Sequence, residues 1–361
     1  MQPVKTEPVA PVAPGPQLVA RRVPAAVPLT PVVLEGDARA AAAECPACGE
    51  CRVRTLFSGS DRLYHTTDKV FYVVECLRCR LIRLDPQPTP AELSQFYPEK
   101  YWFEPELGSV SQLTEAYRRF VIRDHVNFSL ASLRAVGPLN GRKPVLLDVG
   151  CGGGLFANFV QRAGFPVMGL DFSIDAARVA WRSNQVPAFV GTLTQAPLAP
   201  GSCGVITMFH VLEHLYDPAS YLESAYELLH PEGRLIIQVP NAACLQFLLL
   251  GEHWNGLDVP RHLWDFRPDD LEMLLDRCGF ESVRTKHFNL RDNPAGMATS
   301  IAPGLDPMSR LIRGVKESPA ARLAKNLTYL GLTVACLPFT MLEAACRAGS
   351  SIMVEARKKP R

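Results

Sequence analysis

The segment "VLLDVGCGGGLFANFV", residues 145–160, most constrains what this chain can fold into. An apolar run ends in an acid, glycines follow, and an amphipathic run begins. That order reads as a buried strand, a tight turn and a helix. The pattern then repeats: "PVMGLDFS" and "PAFVGTL" read as strands, and so do "CGVITMF", "GRLIIQVPN" and "FESVRTKHFN". Between them "IDAARVAWRSN", "PASYLESAYELLH" and "RPDDLEMLLDRCG" read as helices. Such alternation predicts an α/β fold, a doubly wound, Rossmann-like seven-stranded sheet whose last strand is "SIMVEARKK". Ahead of it, "SQLTEAYRRFVIRDHVNFSLASLRAV" reads as an amphipathic helix stopped by Gly137-Pro138.

A glycine-rich turn of this kind holds a nucleotide. Gly152-x-Gly154-x-x-Ala157 formally matches the dinucleotide fingerprint, and Asp171 follows at the spacing of a ribose-binding acid. A nicotinamide-dependent oxidoreductase is therefore one reading. The phase of the glycines favours another. In Asp148-x-Gly150-x-Gly152-x-Gly154 an acid precedes the first glycine, where a pyrophosphate would meet a carboxylate. A ligand with an ammonium group and no phosphate suits it, and S-adenosylmethionine is such a ligand. A phosphate-binding P-loop is excluded, because no Gly-Lys-Ser/Thr follows.

"LLDVGCGGG", "GLDFS", "FHVLEHLYDP" and "GRLIIQVPN" together resemble the successive motifs of class I S-adenosylmethionine-dependent methyltransferases. "FHVLEHL" and "HWNGLDVPRHLWDF" resemble the branch that includes quinone-biosynthesis O-methyltransferases and bacterial glycan-cluster enzymes. The resemblance implies that Asp148, Gly150, Gly152 and Gly154 line the methionine end of the cofactor, Asp171 the ribose and Phe172 the adenine. It places His210 and Val211 near the transferred methyl. Where the family carries an acid near the adenine amino group, this chain reads Gly191-Thr192-Leu193. The implied function is methyl transfer to a small-molecule acceptor, either a nucleotide sugar or glycan precursor, or a quinone-like or other lipid.

Proton removal from an acceptor needs a base. His214, with Glu213 beside it, is the first candidate, since ligand crevices of open parallel sheets lie at the strands' carboxyl ends. His262 is the second, and Arg261 next to it could grip an anionic group of the acceptor. Tyr97, Tyr101 and Trp102 could form a lid.

Upstream, Cys45 and Cys48 in "CPACGE" and Cys76 and Cys79 in "CLRC" form two CxxC pairs. Two such pairs flanking strand-like residues make the ligand set of a zinc ribbon, and four thiolates make a closed, structural zinc site. Cys51 is a less suitable ligand. "CLRCRLIRLDPQPTPAELSQFYPEKYW" also resembles the zinc-containing N-terminal module of sugar methyltransferases. Arg52, Arg54, Arg78, Arg80 and Arg83 lie in this segment, which raises nucleic-acid binding, but no recognition-helix pattern accompanies them. A chain-wide net charge of +2 gives no electrostatic footprint for that partner either.

The organisation expected is a Pro/Ala-rich disordered tail over 1–43, a zinc-ribbon module over 44–95 and a methyltransferase core over 96–295. A helical, partly apolar insertion over 296–349 follows, and the last strand with a basic tail closes the chain over 350–361. The tail lacks the apolar core of a signal peptide. The other cysteines stand singly, which suits a reducing cytoplasm. Within the insertion, residues 326–342 carry no charge and follow a basic stretch that begins at Arg310. Three roles suit that combination: a cap or homodimer contact, a helix at the inner membrane surface through 310–342, or a membrane span.

Overall fold

The computed structural model describes residues 38–40, 43–97 and 109–359, and side chains from 43 to 97 and 119 to 359. The Pro/Ala-rich tail up to residue 37, Tyr101 and Trp102 lie outside the described residues.

The N-terminal strands are β1 (Ala38–Ala40), β2 (Arg52–Gly59), β3 (Phe71–Cys76) and β4 (Ile82–Asp85), followed by α1 (Pro90–Gln95) and α2 (Ser109–Val136). α1 starts where a capping box dictates: Thr89 accepts from the Glu92 amide, Glu92 returns the bond, and Pro90 fills the first turn. The alternating core begins with β5 (Leu146–Val149), α3 (Leu155–Arg162), β6 (Val167–Asp171), α4 (Ile174–Asn184) and β7 (Ala188–Val190). It continues through β8 (Cys203–Phe209), α5 (Pro218–Leu228), β9 (Leu229–Pro240) and α6 (Leu245–Leu250). A two-residue β10 (Trp264–Asp265), α7 (Pro268–Arg277) and β11 (Phe280–Lys286) precede α8 (Asn293–Ile301), α9 (Pro307–Ile312) and α10 (Pro319–Ala345). β12 (Ser351–Lys358) ends the fold.

The seven strands run in the order β11-β12-β9-β8-β5-β6-β7. β7, β6, β5, β8 and β9 are parallel, and β12 enters antiparallel between β9 and β11. Helices cover both faces, so the central strands are apolar throughout: Leu147, Ile206 and Ile237 are fully buried. Each such side chain contributes about 1.5–3 kcal/mol by leaving water. The strand order reverses between β5 and β8, which opens a crevice at their carboxyl ends.

The N-terminal strands form a second sheet, β1-β2-β3-β4, whose fifth member is β10 from the core. β10 pairs antiparallel with β4, Trp264 opposite Arg83 and Asp265 opposite Ile82. The ribbon module is thus welded to the loop that carries His262. The helical insertion begins at Asn293, three positions before residue 296, because Asp292-Asn293-Pro294 starts a helix there.

Candidate active site

A cavity of about 1170 Å³ opens at the switch point between β5 and β8. Asp148, Gly150, Gly152, His210, His214 and His262 line it, so the structure gathers six of the candidate residues around one space. Glu213 lies directly behind them and is fully buried.

The loop after β5 holds its shape through backbone that needs glycine. Gly150 has φ +70°, and a Cβ there would stand 2.6 Å from Val211 Cγ2. Gly154 has φ +74° and a Cβ would meet Ala180 at 2.9 Å. Gly154 therefore serves the packing of α3 on α4 rather than the cavity wall. Asp148 is buried and accepts a 2.7 Å bond from Thr207 Oγ1. Burial pushes its carboxyl up to about 7, against the Thr207 bond and with the help of nearby Asp171. A buried carboxyl with one neutral donor fits a ligand that brings an ammonium group. Asp171 closes the loop from below: its two oxygens accept from the Gly152 and Ser173 amides, each at 2.9 Å. Phe172 stands exposed beyond it, edge-on to Tyr97 with ring centroids 6.0 Å apart.

After β8 the chain turns through His210 at φ +56°, the left-handed region that a histidine rarely occupies. Charge offsets the strain. Nδ1 lies 3.1 Å from Glu213 Oε1 and Nε2 lies 3.3 Å from Asp292 Oδ2, with Gln238 donating to the same Asp292. Burial works to lower the His210 pKa, but Asp292 and Glu213 outweigh it and raise the pKa to about 10. His210 is thus a fixed imidazolium clamped between β8 and α8. Asp292 and Gln238 escape sequence reasoning. The one available signal for Asp292 was its place just before Asn293-Pro294 at a helix start.

His214 and His262 are different. His214 Nδ1 is 3.0 Å from the Arg261 carbonyl, which can only accept, so the proton sits on Nδ1 and Nε2 keeps its lone pair. The Tyr97 hydroxyl lies 3.1 Å from the same Nδ1. Burial and the neighbouring His262 lower the His214 pKa to about 4, so the ring is neutral at neutral pH. His262 Nδ1 donates to the Gly256 carbonyl at 2.7 Å by the same logic, and its Nε2 is 4.0 Å from Glu213 Oε1. Glu213 Oε2 has no hydrogen-bond partner among the described residues. Ligand atoms of Glu213, His214 and His262 all lie within 4.8 Å of one another. The trio can take up a proton, or it can hold a divalent cation, with backbone carbonyls orienting both rings.

Arg261 does not face the acceptor space as its sequence position suggested. Its guanidinium is fully buried, bonded to Asp61 at 2.8 and 2.9 Å and to Asp258 at 2.7 Å, and lies over the Tyr64 ring at 4.4 Å. It anchors the His262 loop to the ribbon module.

In that module, Cys45, Cys48, Cys76 and Cys79 bring their four sulfurs within 4.8 Å of one another, with 3.5 Å between Cys45 and Cys79 and between Cys48 and Cys76. A tetrahedral zinc with bonds of about 2.3 Å separates its sulfurs by about 3.8 Å, so the four thiols fit the ion after a small outward shift. Cys51 stands outside this cluster, exposed. The nearby arginines serve the module itself: Arg54, Arg80 and Arg267 surround Glu75, Arg52 binds Glu50, and Arg83 is buried on the Ala43 carbonyl.

Comparison with known proteins bears on residues 115–285. Residues 115–285 match the family model described as a methyltransferase domain. The chain is 30% identical over 174 residues to a ubiquinone biosynthesis O-methyltransferase of Ralstonia nicotianae, covering 45% of this chain and 71% of that protein. It is 31% identical over 182 residues to a ubiquinone biosynthesis O-methyltransferase of Methylococcus capsulatus, covering 43% of this chain and 76% of that protein. Among solved structures, a SAM-dependent methyltransferase from Archaeoglobus fulgidus aligns with a TM-score of 0.43 at 18% identity, over 70% of this chain and 100% of that one.

Proposed function

The chain belongs to the class I S-adenosylmethionine-dependent methyltransferases, and from that premise we propose that it methylates a hydroxyl oxygen on a small, ring-bearing acceptor of quinone type. S-adenosylmethionine supplies an activated methyl on a sulfonium. The acceptor oxygen attacks that carbon in line, the carbon–sulfur bond breaks with its electrons going to sulfur, and S-adenosylhomocysteine leaves. The nicotinamide reading is set aside with the family.

The observation that carries the proposal is the neutral His214, whose proton is held on Nδ1 and whose Nε2 is free to accept. It takes the hydroxyl proton as the oxygen attacks. Glu213 stabilises the charge that then develops on the ring, and His262 completes the wall. Asp148 receives the methionine ammonium and Asp171 the ribose, with Gly150 and Gly152 giving the backbone its close approach. His210 positions the turn after β8, and Val211 seals Gly150 beside it. The names of the relatives support a quinone-like acceptor. Arg261, whose sequence position offered a grip for an anionic group of the acceptor, is committed instead to Asp61 and Asp258.

The test is to incubate the protein with deuteromethyl-labelled S-adenosylmethionine and, separately, a catechol with a short apolar tail and a nucleotide sugar. Mass spectrometry should find the label as an aryl ether on the catechol. Transfer to the nucleotide sugar and none to the catechol would overturn the acceptor class.

Two further outcomes are expected. Asp171→Ala should weaken S-adenosylhomocysteine binding about 10- to 100-fold, the worth of hydrogen bonds to a charged group, by calorimetry. An unchanged affinity would remove Asp171 from the ribose. Elemental analysis of protein prepared without chelator should give one zinc per chain, and Cys76→Ser should lower both that content and the melting temperature. Metal-free protein of unchanged stability would contradict the structural zinc.

A further inference from the structure

The long helix α10 is amphipathic in the inverted sense. Toward α8 and the core it turns Tyr329, Thr333, Cys336, Thr340 and Glu343, a single helix face of polar or small side chains. Their polar atoms are satisfied there. The Tyr329 hydroxyl donates to the Ala295 carbonyl at 3.2 Å, Thr333 bonds the Tyr329 carbonyl at 2.9 Å, and Glu343 accepts the Gln246 amide at 3.0 Å. Outward it turns Leu323, Leu327, Leu330, Val334, Met341 and Leu342, each between 41% and 62% exposed. An ordinary surface helix does the reverse. A continuous apolar face of this length on the outside marks a contact with something apolar.

The charges that accompany this face have one sign. Glu317 is tied to Arg310 and Lys325, and Glu343 is buried. What remains accessible beside this face is Lys316 just ahead of α10 and Arg347 just past its end. An apolar strip with cations at both ends complements an anionic lipid surface: phosphates meet the cations while the strip enters the acyl boundary. A second copy of the chain fits less well. Two-fold pairing of antiparallel helices would set Lys316 of each copy against Arg347 of the other, and parallel pairing would set each cation against itself. A span fits less well still. By length and composition α10 is long and apolar enough to cross a membrane, but its uncharged run of about 25 Å stands at the lower limit for a hydrocarbon core of about 30 Å. Spanning would also strip Glu343 of Gln246 and Tyr329 of the Ala295 carbonyl.

We propose that α10 is a peripheral membrane-docking helix that lies along an anionic bilayer with Leu327, Leu330, Val334, Met341 and Leu342 facing the lipid. The same helix contributes Arg322, Asn326 and Tyr329 to the cavity wall, so docking brings the acceptor chamber to the bilayer surface. The inference rests on this face alone and not on the identity of the acceptor.

The experiment is co-sedimentation of the full chain with phosphatidylcholine vesicles, with and without phosphatidylglycerol, in the absence of acceptor and methyl donor. Wild type should sediment with the mixed vesicles and be released by salt. Arg347→Glu should lower the partition coefficient about tenfold or more. Leu327→Asp with Val334→Asp should abolish binding at an unchanged melting temperature, because both side chains are exposed. Failure of wild type to bind the mixed vesicles, or binding that survives the double substitution, would overturn the proposal. So would a wild-type dimer that the double substitution converts to monomer. Methyl transfer to a water-soluble catechol, measured alongside, reports on the acceptor reading separately.

Discussion

His214→Ala should lower the rate of methyl transfer about 10²- to 10⁴-fold, the usual worth of a positioned general base, and leave the affinity for S-adenosylhomocysteine unchanged. The split follows from where the ring sits. Asp148, Gly150 and Gly152 belong to the loop after β5, whereas His214 stands after β8, held by the Arg261 carbonyl. Loss of the imidazole removes a proton acceptor and leaves the glycine loop as it was. Because burial keeps the His214 pKa near 4, the wild-type rate should hold steady on the acid side until pH approaches that value. Single-turnover transfer and calorimetry on the same preparations check both halves. Normal turnover in the variant would eliminate His214 as the base. A loss of cofactor affinity equal to the loss of rate would make it a cofactor contact instead.

The largest loss of stability is expected at Arg261. Replacing it with Met keeps much of the volume but strands Asp61 and Asp258 as buried carboxylates without their cation. Breaking a buried pair from one side destabilises by about 3–5 kcal/mol. Burial alone would raise the Asp61 carboxyl, and Arg261 overrides it, holding the pKa at about 2. The folded value is depressed, so the contribution of Asp61 is present above its unfolded pKa of about 4 and is lost as pH falls toward 2. Lysine should not rescue, since one ammonium cannot reproduce the two-pronged contact with Asp61. Denaturant unfolding measures the loss, and a change under about 1 kcal/mol would contradict the role given to Arg261. The effect should reach the active site, because the neighbouring residue is His262 and β10 begins two positions later.

What was legible in the sequence is what depends on local order. The strand–glycine–helix run at 145–160 announced its own geometry, because only a buried strand, a left-handed turn and an amphipathic helix satisfy that order of side chains. The alternation that follows gave the sheet. The paired CxxC spacing brought four thiols together for the same reason, since each pair is a local turn. Contacts across long separations left no such mark. Arg261 reads as a free cation until Asp61, 200 positions away, is placed against it. β10 is two residues long and owes its existence to β4, so no propensity could reveal it. His210 reads as one more residue near the methyl, whereas Asp292 and Glu213 make it a clamp. The direction in which α10 faces was hidden by its own composition: an almost uniformly apolar run shows length but not which side is buried.

The central claim is that the crevice between β5 and β8 is an S-adenosylmethionine site built on Asp148, the glycine loop and Asp171. Calorimetric titration of the purified chain with S-adenosylmethionine, S-adenosylhomocysteine and NADH tests it most directly. The first two should bind at one per chain with micromolar affinity, and NADH should give no heat. NADH binding without the other two would mean that the loop cradles a pyrophosphate despite Asp148, and the account of the site would be wrong.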